Sequence, residues 1–171
     1  ELRGLKVKYL AANPDPGTEG DVWYDSATYE LKGFVGRAAW SAGAPYVNAA
    51  AQDAAAAGTQ TAALGAGGYT TGHVATSGEY DGTGWASRED MPGNMSSHGG
   101  TGTQTAALMF GGAVSPQAQS LEYDGTDWTA GGNLNTARTY IDGAGTQTAG
   151  LAIGGEAGSP SALKDEVEEY N

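Results

Sequence analysis

The chain's only imidazoles are His73 and His98. As metal ligands or general bases they need partners at suitable spacing, and none is evident in the sequence. Both read as ordinary surface or turn histidines, His73 in a loop and His98 in a strand. Asp165-Glu166 and Glu168-Glu169 pair carboxylates, but neighbouring charges on a strand or loop are solvated rather than convergent. Asp81 and Asp124 have the chemistry to touch calcium, yet each precedes a glycine, and hairpin turns explain both. The glycine-rich run 65–68 resembles a phosphate cradle by composition only, since no helix follows to offer its N-terminus. No Gly-x-Ser-x-Gly elbow or Walker-type loop occurs. Cysteine is absent, which removes disulfides and thiolate metal sites. Asn94-Met95-Ser96 is a formal glycosylation sequon, read as accidental because no signal-peptide pattern opens the chain. The expectation is no catalytic residue, no metal and no cofactor: a protein that is not an enzyme.

These residues are embedded in a repeat. Gly58-Thr59-Gln60-Thr61-Ala62-Ala63-Leu64 returns as Gly102-Thr103-Gln104-Thr105-Ala106-Ala107-Leu108 and as Gly145-Thr146-Gln147-Thr148-Ala149-Gly150-Leu151, 44 and then 43 residues on. A period of this size marks one supersecondary unit used several times. Each copy is followed by a glycine pair: Gly67-Gly68, Gly111-Gly112 and Gly154-Gly155. Further on stand Tyr80 with Trp85, then Tyr123 with Trp128, and Tyr170 begins a third set. In the copy from Ser96 to Trp128, residues 96–101 are β-compatible and Gly-Thr-Gln makes a tight reversal. Thr105–Gly111 is a nearly continuous apolar run, as a strand buried on both faces requires. A loop through Pro116 leads to the strand Ala118–Tyr123, Asp124-Gly125 signals a hairpin, and Trp128 opens a fourth strand. Four such strands make one antiparallel sheet that cannot bury its faces alone, so copies must stack.

A buried run ending in Gly-Gly, then Tyr-Asp, then Trp, resembles the kelch repeat over roughly residues 34–171. The resemblance implies an all-β fold of kelch-like β-propeller blades, about three four-stranded repeats that form part of a larger propeller. It implies that the glycines let strands crowd near the axis while Tyr80, Trp85, Tyr123 and Trp128 fill the wedge between blades. The repeat's usual arginine is present at Arg138 but replaced by Ala51 and Met95. Galactose oxidase and its relatives place copper on such a propeller. That site needs a tyrosine cross-linked to cysteine, which these residues cannot supply.

The chain of 171 residues carries 29 glycines and only 2 phenylalanines, consistent with turn-dense β structure and a thin, close-packed core. A net charge of −12 argues against binding to nucleic acid or anionic membranes, which reward basic patches. No run approaches the length of a membrane-inserted helix.

In chain order, residues 1–35 read as an N-terminal arm. Leu5–Leu10 alternates as a half-buried strand, residues 13–17 form a Pro/Gly break, and Asp21–Tyr24 with Tyr29–Val35 form a hairpin around Ser26-Ala27-Thr28. This order resembles leader segments of bacteriophage fibre and appendage proteins. Residues 36–171 form the repeat module. Gly36–Trp40 occupies the place of Gly125–Trp128, making Trp40 the first tryptophan of the repeat system. Ala49–Ala57 has helical propensity, but its repeat position places it with Ser96–Thr101 and Tyr140–Ala144 as a strand. The strand count runs last strand, two full blades, then three strands of another, which closes only if first and last strands share a blade. The expectation is a fragment of a longer chain, with combination of several chains into one ring as the alternative.

Between copies, the loops after the glycine pair differ most: 69–77, 113–120 and 156–167. Tyr69, His73, Gln117, Gln119 and Lys164 there offer a stacking ring and hydrogen-bonding groups suited to a sugar. The reading is a virion appendage, a tail-fibre or receptor-binding protein of a bacteriophage. Its arm binds other virion proteins, its loops bind a host-surface glycan or protein, and it acts as a homo-oligomer, a trimer among the options. The alternatives are a bacterial adhesin or carbohydrate-binding module, and a secreted kelch-type enzyme with its catalytic residues elsewhere.

Overall fold

Small and apolar residues alternate with glycine turns along the repeat, and this pattern becomes a series of short antiparallel strands. The computed structural model describes residues 7–12, 21–33, 40–48, 51–113, 117–157 and 162–171. The chain divides into two compact units, Glu1–Ala42 and Gly43–Asn171.

In the first unit β1 (Lys8–Leu10) runs parallel to β2 (Val22–Asp25), which forms a hairpin with β3 (Glu30–Gly33). Asp25 fixes the turn, its Oδ1 accepting from the amides of Ala27 and Thr28 at 2.9 and 3.2 Å. Its hydrogen bond to Lys32, with those amides, lowers its pKa to about 2. Trp40 is fully exposed and lies in no strand, contrary to its expected place at the start of a fourth strand. Such a strand needs a third strand beside it, and the described residues ahead of Trp40 provide none; residues 34–39 lie outside the description.

The second unit contains three sheets of the repeat. Blade 1 is β4 (Ala55–Thr59), β5 (Ala62–Ala66), β6 (Ser77–Tyr80) and β7 (Trp85–Arg88), hydrogen-bonded in that order. Blade 2 repeats it with β8 (Gly99–Thr103), β9 (Ala106–Phe110), β10 (Ser120–Tyr123) and β11 (Trp128–Ala130). Blade 3 has β12 (Asp142–Gly145), β13 (Gly150–Ile153) and, beyond the small hairpin β14 (Glu156–Ala157) with β15 (Ala162–Leu163), β16 (Val167–Tyr170). The innermost strands β4, β8 and β12 lie side by side. A Cβ on Gly143 would stand 2.5 Å from the Gly100 carbonyl, so glycine is what lets β12 approach β8.

Two sequence expectations shift. The reversal falls on Gln60-Thr61 and Gln104-Thr105, one residue later than Gly-Thr-Gln implies, because the glycine ahead of it is paired within the strand. Of Ala49–Ala57, only Ala55 to Ala57 is strand, continuing to Thr59, and the described residues before it are neither strand nor helix apart from an isolated bridge at Gln52. The alternation of buried Ala55 and Ala57 with exposed Ala56 follows from packing one face on blade 2, which overrides alanine's helical propensity.

Two cores form between blades. Leu64 and Ala66 of blade 1 join Met109, Leu121 and Tyr123 of blade 2, while Leu108 and Phe110 of blade 2 join Ile141 and Ala152 of blade 3. A near-continuous apolar strand is required because β9 has a neighbour on each side.

Candidate functional site

The glycine pairs build a frame for the loops. The amide of Gly67 donates to Thr76, that of Gly111 to Gln119 and that of Gly154 to Glu166, at 2.8 to 3.0 Å. The carbonyl of the second glycine accepts from Val74, Gln117 and Lys164 in turn, at 3.0, 3.0 and 2.9 Å. Gly68 and Gly112 also donate 2.8 Å bonds to the carbonyls of Met95 and Arg138 in the next connecting segment. Glycine is demanded here: Gly67 has φ +66° and a Cβ on it would lie 2.4 Å from the Met95 carbonyl. The pairs therefore act at the blade ends rather than at the axis.

From Val74, Gln117 and Lys164 to the tyrosines Tyr80, Tyr123 and Tyr170 the chain length is constant. All length variation falls in residues 69–73, 113–116 and 156–163, which number five, four and eight. The segments 69–77, 113–120 and 156–167 thus split into a variable first part and a fixed second part. Residues 114–116 and 158–161 lie outside the described set.

On this face a cleft of about 200 Å³ is lined by Gln52, Asp53, Tyr69, His73, Ser96, Ser97, Ala113 and Tyr140. Asp53, Ser97 and Tyr140 occupy one repeat position, five residues before each Gly-Thr-Gln, and all three have positive φ, +58°, +51° and +53°. Non-glycine residues in this region cost roughly 1–3 kcal/mol each. A backbone chain across the blades holds them: Ser97 N donates to Asp53 O at 2.8 Å and Tyr140 N to Ser97 O at 2.7 Å. Ser97 Oγ also reaches Asp53 Oδ2 at 3.2 Å. The sequence carried this signal as a fixed offset, but three unlike residue types hid it.

Two of the five sequence candidates meet in the cleft. The Tyr69 and His73 rings sit edge to face with centroids 5.2 Å apart, and His73 Nδ1 contacts Ser96 Oγ at 2.8 Å. Ser96 is 1% exposed, so its hydroxyl holds the imidazole rather than facing a substrate. Gln117 is built into the frame by Gly112 and Arg138, with its Oε1 buried and without a partner. Gln119 is half-buried, and Lys164 lies 3.5 Å from Glu166. None of these three lines the cleft. A carboxylate, hydroxyls, an imidazole and two phenol rings, Tyr140 being 62% exposed, make a polar, aromatic-edged surface.

Other candidates resolve differently. His98 is not a surface residue: it is buried, just ahead of β8, at the repeat position of Ile141 and Ala54. Both its ring nitrogens lack partners, and burial pushes its pKa down to about 4. The sequence misled because the neighbouring residues are small and polar. Asp81 and Asp124 use Oδ1 to cap their own turns, accepting from Thr83 and Gly84 and from Thr126 and Asp127 at 2.7 to 3.0 Å. Among the described residues no cluster of three or more His, Cys, Asp or Glu forms a metal site. Arg138, fully buried, donates to the carbonyls of Gly154 and Glu166 at 2.6 and 2.9 Å and to Glu168 at 2.9 Å.

No family model matches the sequence, and no curated protein matches it. A solved structure, "Structure of YjhT", is similar with a TM-score of 0.58 and 15% identity, over 88% of this chain and 51% of that one. The four-stranded antiparallel sheets have the form of β-propeller blades. At this identity the likeness speaks for the fold alone, and the chain spans about half the length of the YjhT chain it matches.

Proposed function

We propose that this protein is a binding subunit of a bacteriophage appendage, held to other virion proteins through residues 1–35 and facing a host-surface glycan or protein with its loop face. It works in the extracellular particle and does no chemistry of its own. The observation that carries the binding reading is the confinement of all repeat-length variation to 69–73, 113–116 and 156–163, against a frame otherwise repeated bond for bond. Recognition surfaces are built where a rigid scaffold leaves loops unconstrained. The cleft beside those loops offers Tyr69 and Tyr140 as stacking faces and Asp53 and Ser97 as hydrogen-bonding groups, a combination that suits sugar hydroxyls. The phage assignment rests on the order of the arm's sequence. Copies on one particle would convert weak single contacts into firm attachment.

The test replaces 69–73, 113–116 and 156–163 with Gly-Ser segments of equal length, and separately makes Asp53→Ala. Particle adsorption to host cells and binding to a glycan array are then measured. Loss of both, with assembly intact, supports the reading. Unchanged adsorption and array binding in the loop-replaced protein would overturn it.

A further inference from the structure

The cleft on the loop face holds a carboxylate whose charge nothing around it balances. Asp53 Oδ2 accepts from Ser97 Oγ at 3.2 Å, while Asp53 Oδ1 has no hydrogen-bond partner among the described residues. Among those residues, neither lysine nor arginine lines the cleft. The second unit has only three basic side chains, Arg88, Arg138 and Lys164, against fourteen carboxylate side chains. Each of the three is already engaged: Arg88 with Glu79 at 2.8 Å, Arg138 with Glu168 at 2.9 Å and Lys164 with Glu166 at 3.5 Å. The field over this unit is therefore negative, which draws in cations and holds off anions.

Backbone and neighbours hold the carboxylate in place. Asp53 sits at φ +58°, a region that Asp and Asn enter more readily than other non-glycine residues. Its carbonyl accepts from the Ser97 amide of the next blade at 2.8 Å. Around it stand groups that can read a sugar ring. The exposed Gln52 carboxamide has no partner among the described residues, and the Tyr69 and Tyr140 rings edge the cleft. Tyr69 is steadied by the His73 ring, and His73 by the buried Ser96 hydroxyl. At about 200 Å³ the cleft is smaller than the roughly 300–1,000 Å³ pockets of drug-sized ligands, and its size suits one monosaccharide residue.

The choice of sugar follows from what happens to Asp53 when a ligand covers it. Covering strips water from the carboxylate, and a charge so treated is costly unless it is paired. A neutral sugar brings hydroxyl hydrogen bonds alone. An acidic sugar brings a second negative charge and finds no base to meet it. An ammonium group supplies both the counter-charge and charge-assisted N–H···O bonds, the stronger kind, and tyrosine faces attract cations as well. We propose that the cleft takes an amino sugar with a free ammonium group, which meets Asp53 Oδ1 while the ring rests against Tyr69 and Tyr140. This rests on the reading that the loop face binds a glycan, and narrows that glycan to a cationic one. Hydroxyls of the same residue reach Gln52 and Ser97. N-acetylation, which removes the amine's charge, weakens binding.

NMR titration of the 171-residue chain tests this, because it reads weak affinities residue by residue. The probes are the methyl glycosides of glucosamine, N-acetylglucosamine and glucuronic acid, with ethylammonium as a cation that is not a sugar. All are added at mildly acidic pH, where the sugar amine is protonated. The glucosaminide should shift the Asp53, Tyr69 and Ser97 resonances and bind about tenfold more tightly than its N-acetyl form. Added salt should shrink that preference, and the glucuronide and ethylammonium should give no saturable shift. Asp53→Asn keeps the shape and the tolerance for positive φ but loses the charge. It should bring the two glucosamine glycosides to equal affinity without changing the unfolding midpoint. Tyr69→Ala should weaken both and leave their ratio intact. Equal or tighter binding of the N-acetyl form, a preference that survives Asp53→Asn, or ethylammonium binding as well as the glucosaminide would overturn the ammonium assignment. A neutral sugar that still binds in the cleft leaves the glycan reading standing. No shift with any sugar also overturns the assignment, and adsorption of the loop-replaced particle then decides the glycan reading separately.

Discussion

The hydroxyl of Tyr123 lies 3.1 Å from Glu79 Oε1, across the seam between blades 1 and 2. Tyr123 is fully buried, and burial, with that bond, raises its pKa to about 12. One side chain thus carries both an apolar load and a seam bond, and two substitutions separate them. Tyr123→Phe keeps the ring and should cost about 1 kcal/mol of unfolding free energy. Tyr123→Ala should cost about 3–5 kcal/mol. Urea denaturation measures both; near-equal losses would show that the hydroxyl, rather than the ring, holds the seam.

Gln104 makes the most repeated sequence element intelligible. Its carboxamide bridges the carbonyls of Tyr80 and Ala63 on the preceding blade at 2.7 and 3.4 Å. Gln104→Ala should lower stability by about 1 kcal/mol, while Gln60→Ala, whose carboxamide has no hydrogen-bond partner among the described residues, should have no effect. Equal effects of the two would mean that the glutamine acts within its own turn.

Where strand, turn and seam recur, the sequence was readable: the three apolar strands, the glycine pairs and the tyrosine–tryptophan pairs stand where the period puts them. Single-copy features were not. His98 falls at the position of Ile141, and its burial is set by neighbouring blades that local composition does not reveal. Trp40 matches the motif, but a motif supplies no packing without a strand to lie against. The cleft was half legible, because Tyr69 and His73 sit in a variable loop while Asp53, Ser97 and Tyr140 share only a backbone conformation. Side-chain type carries no record of that conformation when three different residues adopt it.

Arg138 and Glu168 replace an apolar pair. Their repeat equivalents in blade 2 are Met95 and Leu121, both in the buried cluster of the first seam. In blade 3 Glu168 accepts from the amides of Asn135 and Thr136 at 2.6 and 3.3 Å as well as from Arg138 at 2.9 Å. Desolvation raises its pKa, but these bonds and the arginine outweigh it, and the net shift is downward. Arg138→Met leaves a carboxylate without its buried counter-charge and should cost about 3–5 kcal/mol. The double change Arg138→Met with Glu168→Leu imports the blade 2 solution and should recover most of that loss. A double variant no more stable than the single one would show that the two positions are not coupled.

His98 sets the acid limit of the fold. Its pKa is about 4 in the folded chain against an ordinary value of 6.5. As pH falls below 6.5 the unfolded chain takes up a proton that the folded chain refuses until about 4. The unfolded state therefore binds more protons in that window, and stability falls with decreasing pH through it. The full loss is of order 3 kcal/mol, and it begins well above the range in which the carboxylates titrate. His98→Ile places the blade 3 residue in the blade 2 slot. It should abolish the slope between pH 6.5 and 4.5 and, by removing two unpartnered ring nitrogens, raise stability near neutral pH by about 1–3 kcal/mol. Urea midpoints measured across this range decide the matter. A parent protein of constant stability over the window, or a variant that keeps the slope, would mean that His98 is protonated equally in both states and is open to solvent.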